Sequence, residues 1–193
     1  MRLGPLRLGI AHHYGWAVAV TASADHRVVD RRRIELLPSG LPGAPIHHEG
    51  GQFDIHRRAD PPDDDRLAAF VARVRAAAVK TSWVSLDALP KGIESISLRA
   101  WPPDFPTDIA VLRRPPYESR ADSVMYLQVL AELATDRGWR IHLYDAKQVE
   151  RQAAEILGER AKEVLHDPRT VLGPPWTKDH RMALAATVLA EYG

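Results

Sequence analysis

The sequence predicts an α/β fold: a mixed five-stranded sheet with helices on both faces. Two observations support this. Three apolar runs bounded by turn residues follow one another between Leu6 and Leu37, and the rest of the chain alternates helical periodicity with further strand-like runs. Size and composition agree. With 193 residues, 45% hydrophobic and 26% charged, the chain suits one domain (1–193) with a real core.

Leu6–Ala11 (LRLGIA) and Tyr14–Ser23 (YGWAVAVTAS) read as the first two strands, the second rich in β-branched and aromatic residues. Ser23-Ala-Asp-His26 is a polar turn, and Arg27–Leu37 is a third strand with mixed alternation. The irregular stretch 38–62 is longer than a simple connection needs. Asp60-Pro-Pro-Asp-Asp-Asp65 opens a helix with acids where the helix dipole favours them. Leu67, Phe70, Val71, Val74 and Ala78 form its apolar face, and Pro90-Lys-Gly92 ends it.

Ile93–Ala100 alternates with period two as a fourth strand, and five prolines make 101–116 a loop. A second helix begins at Ser119 or Ala121 and ends at Gly138, with Ser119 and Asp122 close to a capping box. Trp139–Tyr144 is a fifth strand. Lys147–Leu165 is a third helix, and Thr177–Tyr192, capped by Thr177, a fourth.

A net charge of +1 provides no global field to recruit nucleic acid or an acidic membrane. The absence of Cys excludes disulfides and thiolate metal sites. The first residues hold too short an apolar run for a signal peptide, and no stretch is long enough to span a bilayer, so a cytoplasmic protein without a membrane partner is expected. Of the 26 basic residues 21 are Arg, a bias that suits carboxylate or phosphate recognition and equally reflects a GC-rich genome.

The order βββαβαβα is that of the ribonuclease H-like fold. Gly9-Ile10-Ala11 followed by Gly15-Trp16-Ala17-Val18 resembles the opening hairpin of RuvC-type Holliday-junction resolvases. Asp179-His-Arg-Met-Ala-Leu-Ala185 is similar to their final helix, and Leu143-Tyr144 with Lys147 and Val149 to their fifth strand and following helix. The resemblance implies a divergent bacterial relative whose fold holds two divalent metals with clustered carboxylates. It also implies an acid on the first strand, one ending the fourth, and one or two on the last helix. Here those positions are Ala11, Arg99, Asp179 and Met182. Asp179 alone matches, so the expected function is a binding module for nucleic acid or a protein partner, without the usual nuclease activity.

The alternative is a metal-dependent hydrolase or nuclease with a His-rich site. His12-His13 leaves the first strand, and His47-His48-Glu49 lies in the long loop. Imidazoles with a carboxylate suit a divalent metal such as Zn²⁺ or Mn²⁺, with Asp179 or His180 completing the set. The plain reading is that adjacent histidines on an extended chain point opposite ways. Arg113, Arg114 and Arg120, around the start of the second helix, are candidates to receive a phosphate, or belong to a capping segment. Arg31-Arg32-Arg33 reads as a solvated edge or a nucleic-acid contact. Gly173-Pro-Pro-Trp-Thr-Lys-Asp-His180 is the stretch most suited to function, presenting Trp176, Lys178, Asp179 and His180 at a helix start.

Overall fold

A computed structural model of the chain describes residues 4–50 and 60–191. Five strands, β1 (Leu6–His13), β2 (Trp16–Ala22), β3 (Val28–Glu35), β4 (Ile93–Arg99) and β5 (Arg140–Tyr144), form one sheet in the order β3-β2-β1-β4-β5. The hairpin pairs β1–β2 and β2–β3 are antiparallel, whereas β1–β4 and β4–β5 are parallel. Parallel pairs need long crossovers. Here these carry α1 (Asp64–Asp87), ahead of β4, and a single turn α2 (Ile109–Leu112) with α3 (Glu118–Asp136), ahead of β5. Four α-helices close the described chain: α4 (Val149–Leu157), α5 (Ala161–Leu165), α6 (Pro168–Leu172) and α7 (Lys178–Leu189). This is the mixed five-stranded α/β sheet with helices that the sequence predicts. No helix of the described residues is long and apolar enough to cross a membrane.

Strand alternation sends successive side chains to opposite faces, which builds two cores. Leu8, Ile10, Ala17, Ala19, Ile96 and Leu98 pack under Val74 and Ala78 of α1 and Tyr126, Val129 and Leu130 of α3. Ala11, Val18, Val20 and Ala22 pack on the other face with Tyr144, Val149 and the α7 residues Ala183, Leu184 and Ala186. Gly9 sets the second contact: a Cβ there would lie 1.9 Å from the Ala183 carbonyl oxygen, so α7 rests its backbone directly on β1. Two buried hydroxyls tie the layers together. Tyr144 donates to the Ile10 carbonyl at 2.7 Å, and Ser97 donates to the Ala186 carbonyl at 2.9 Å.

Several expectations are corrected. β1 runs through His13, so His12 and His13 do not leave the strand: they are its last two residues and pair with Ala17 and Trp16. The third helix of the sequence reading ends at Leu157, because Gly158 adopts φ +56° and breaks it before α5. Ser119 is not a cap, since α3 already starts at Glu118. Nor does Asp122 belong to a capping box: it is buried and accepts the backbone N–H groups of Ile46 (3.0 Å) and His47 (2.9 Å). Those two residues lie in a π-helical turn, Pro45–Gly50, within what reads from sequence as irregular chain. The remainder of that stretch at 51–59, and Tyr192 of the last helix, lie outside the described residues.

Candidate functional site at the ends of β1 and β4

The alternation that divides the core also divides the two histidines. His12 turns to α3, with its Nε2 2.8 Å from Ser123 Oγ. His13 turns to α7, with its Nε2 3.0 Å from Asp179 Oδ2 and its ring stacked on Trp16 at 4.1 Å. Burial, helped by the charges of Arg99 and His13, lowers His12 to about 4, so its imidazole is neutral at physiological pH. Tyr14 follows in the β1–β2 turn and donates its hydroxyl to the Ser119 carbonyl at 3.2 Å. Burial, then the Asp122 carboxylate, raises that phenol above its ordinary range.

Arg99 ends β4 beside these groups. It is exposed and forms no ion pair among the described residues. Two clefts share its side chain. One, of about 410 Å³, is lined by His12, His13, Tyr14, Trp16, Arg99 and Ser123. The other, of about 250 Å³, includes Tyr14, Arg99, Trp101, Ser119, Arg120 and Ser123. At the rim the Arg33 guanidinium lies 4.1 Å from the Trp16 ring centre.

The residues singled out from sequence fall into separate places. His47 and His48 lie in the π-helical turn. The ring of His47 is 3.8 Å from Glu118 and its ring centroid 5.0 Å from that of His48, which is exposed. Glu49 lines a third cleft with Asp60, Arg66 and Phe70. None of the three lines either of the two clefts at Arg99. Among the described residues no group of three His, Asp or Glu is placed to hold a metal ion. The four positions implied by the resemblance do not fit a divalent pair either. Ala11 is buried and apolar, Met182 packs on the second core, Arg99 is a cation, and Asp179 bonds His13.

Arg113 is corrected as a phosphate ligand. It is 5% exposed and clamps the Gly50 carbonyl (3.0 Å), Asp64 (2.6 Å) and the Pro62 carbonyl (2.9 Å), joining the loop to the start of α1. Arg114 and Arg120 are exposed, and of these two only Arg120 lines a cleft with Arg99. Trp176 is buried, donating its indole N–H to the Leu165 carbonyl at 3.0 Å, and so serves as a core anchor. His180 accepts the Thr177 N–H at 3.2 Å and caps α7. Burial, and then Arg31, holds its pKa below the ordinary value. Lys178 is exposed. Arg31 reaches the carbonyls of Leu172 (2.7 Å) and Gly173 (2.9 Å), bracing the Pro-Pro segment rather than facing a ligand.

Tyr14 and Ser123 are absent from the sequence-level candidates, and Arg99 stands there only as a missing acid. Its position at the end of an alternating strand was the available signal for the last. Ser123 had none, because its neighbour His12 is 111 residues away in sequence.

No protein-family model matches the sequence, and no curated protein matches it. Among solved structures, the chain is similar to "T. thermophilus RuvC in complex with Holliday junction substrate" at 15% identity and a TM-score of 0.48. That alignment covers 98% of this chain and 96% of that one. It is also similar to "Thermus thermophilus RuvC structure" at 13% identity and a TM-score of 0.46, covering 97% and 93%.

Proposed function

We propose that this domain is a binding module that holds nucleic acid by its phosphates at the β1–β4 end of the sheet, without two-metal cleavage. The observation that supports the reading most is Arg99, an exposed guanidinium with no ion-pair partner among the described residues. It stands where the resemblance implies a metal-binding acid. Arg matches phosphate oxygens in a planar fork, and it repels the divalent cation that a carboxylate would attract. Tyr14, 41% exposed, adds an aromatic face for a base, and Arg120 and Lys178 are further exposed cations. With a net charge of only +1, attraction is local to this end rather than a property of the whole molecule.

The test is fluorescence anisotropy with single-stranded, duplex and four-way-junction DNA in EDTA over a salt series. Affinity should fall with salt, with a logarithmic slope of about −0.9 per duplex phosphate contact or about −0.7 per single-strand contact. Arg99→Ala should weaken binding and reduce that slope by about one contact. Absence of binding at low salt, or binding indifferent to salt, refutes the reading. Cleavage on adding Mg²⁺ or Mn²⁺ would refute its second half.

A further inference from the structure

We propose that the smaller cleft, lined by Arg99, Arg120, Ser119, Ser123, Tyr14 and Trp101, recognises a phosphate monoester in preference to an internal phosphodiester. This deepens the reading above where the monoester is the end of a nucleic-acid strand, and stands without it where the monoester is a mononucleotide.

Charge is the first support. The lining carries two guanidiniums and neither Asp nor Glu. A phosphate monoester carries roughly −1.5 to −2 at neutral pH, whereas an internal diester carries a single charge. A cleft with two cations and no acid therefore matches the dianion better.

Shape is the second. At about 250 Å³ this cleft is the smaller and more enclosed of the two that share Arg99. A terminal phosphate enters such a space end-on. An internal phosphate brings chain on both sides and is suited to the wider neighbour, of about 410 Å³.

Hydrogen bonding is the third. Ser119 and Ser123 lie one turn apart on α3 and both line the cleft. His12, 2.8 Å from Ser123, is neutral, so it adds no charge of its own. In its Nε2–H tautomer it donates to Ser123 and leaves the serine hydroxyl hydrogen for a phosphate oxygen. Tyr14 already donates to the Ser119 carbonyl, which fixes the mouth of the cleft.

The experiment compares one oligonucleotide with a 5′-phosphate, a 3′-phosphate or hydroxyl ends, in EDTA, with adenosine monophosphate and inorganic phosphate as competitors. A phosphorylated end should bind roughly tenfold or more tighter than the hydroxyl form. Arg99→Ala and Arg120→Ala should each abolish that preference, while Arg114→Ala, outside the cleft, should keep it. Thermal melts check that each variant folds, and having both cleft arginines keeps the test decisive should one variant fail. The preference should also fade below about pH 6, where the monoester takes up a proton. Equal affinity for phosphorylated and hydroxyl ends overturns the inference and leaves nucleic-acid binding standing. Binding of adenosine monophosphate with the same arginine dependence, but of no oligonucleotide, upholds the monoester site and rejects the polymer. Binding of neither overturns both.

Discussion

Replacing Asp122 by Asn should change how stability depends on pH, and the size of the change follows from two buried groups with opposite signs. Asp122 accepts two backbone N–H bonds, yet burial outweighs them and raises its carboxyl to about 7. Between the ordinary carboxylate value and about 7, the folded chain keeps a proton that the unfolded chain has released. Stability therefore falls as pH rises through that window. About three pKa units at about 1.4 kcal/mol each give a loss of up to about 4 kcal/mol. His12 runs the other way. Its folded value of about 4 lies below the ordinary 6.5, so stability rises between those limits by up to about 3 kcal/mol. In the wild type the two slopes nearly cancel over the shared range. Asp122→Asn removes one of them and leaves the rise from His12 uncovered. The amide cannot accept both N–H groups, so the variant also loses about 1–3 kcal/mol at every pH. Urea denaturation from pH 4 to 8 measures both effects, and the difference between the two profiles isolates Asp122. Parallel profiles would show that Asp122 is already ionised in the fold at pH 5, and would refute the reasoning.

Gly9→Ala places a methyl 1.9 Å from the Ala183 carbonyl oxygen, so α7 must lift from β1. The cost should reach the upper end of overpacking, about 3 kcal/mol, and lower Tm by roughly 6–12 °C; a shift of a degree or two would contradict the contact. Tyr144→Phe removes the buried bond to the Ile10 carbonyl and should cost about 1–2 kcal/mol in chemical denaturation. Arg31→Ala frees the carbonyls that brace the Pro-Pro segment. It should lower stability by about 1–3 kcal/mol while oligonucleotide affinity stays unchanged, and a large loss of affinity would reassign Arg31 to the binding surface.

The fold was legible because its signals are local and repetitive. Apolar runs of strand length, the helical spacing from Leu67 to Ala78, and the closing Gly138 each declare an element within a few residues. The misses come from tertiary contacts overriding local rules. Asp122 looks like a capping residue by spacing, but a distant π-helical turn supplies its donors. Arg113 looks like a free cation beside Arg114, but Asp64 and two carbonyls occupy its fork. Gly158 reads as tolerable inside a helix until its positive φ is seen. For the site, strand alternation was enough to separate His12 from His13. The pairing of each with Ser123 or Asp179 requires the packing of α3 and α7 on opposite faces.

That separation bears on which sign of ligand this end of the sheet can hold. A transition metal needs imidazole nitrogens within about 2.0–2.2 Å of one point. Adjacent residues of an unbulged strand direct their side chains to opposite faces, and the β1–β2 register continues unbroken through His12 and His13. The two rings therefore cannot serve one ion without a bulge. Arg99 adds to this. A fixed positive charge at the end of the neighbouring strand helps hold His12 neutral and raises the cost of any cation beside it. The same charge lowers the cost of an anion, and the neutral His12 imidazole held against Ser123 adds no competing charge. At this end of the sheet the fixed charge of Arg99 therefore disfavours a cation and favours an anion.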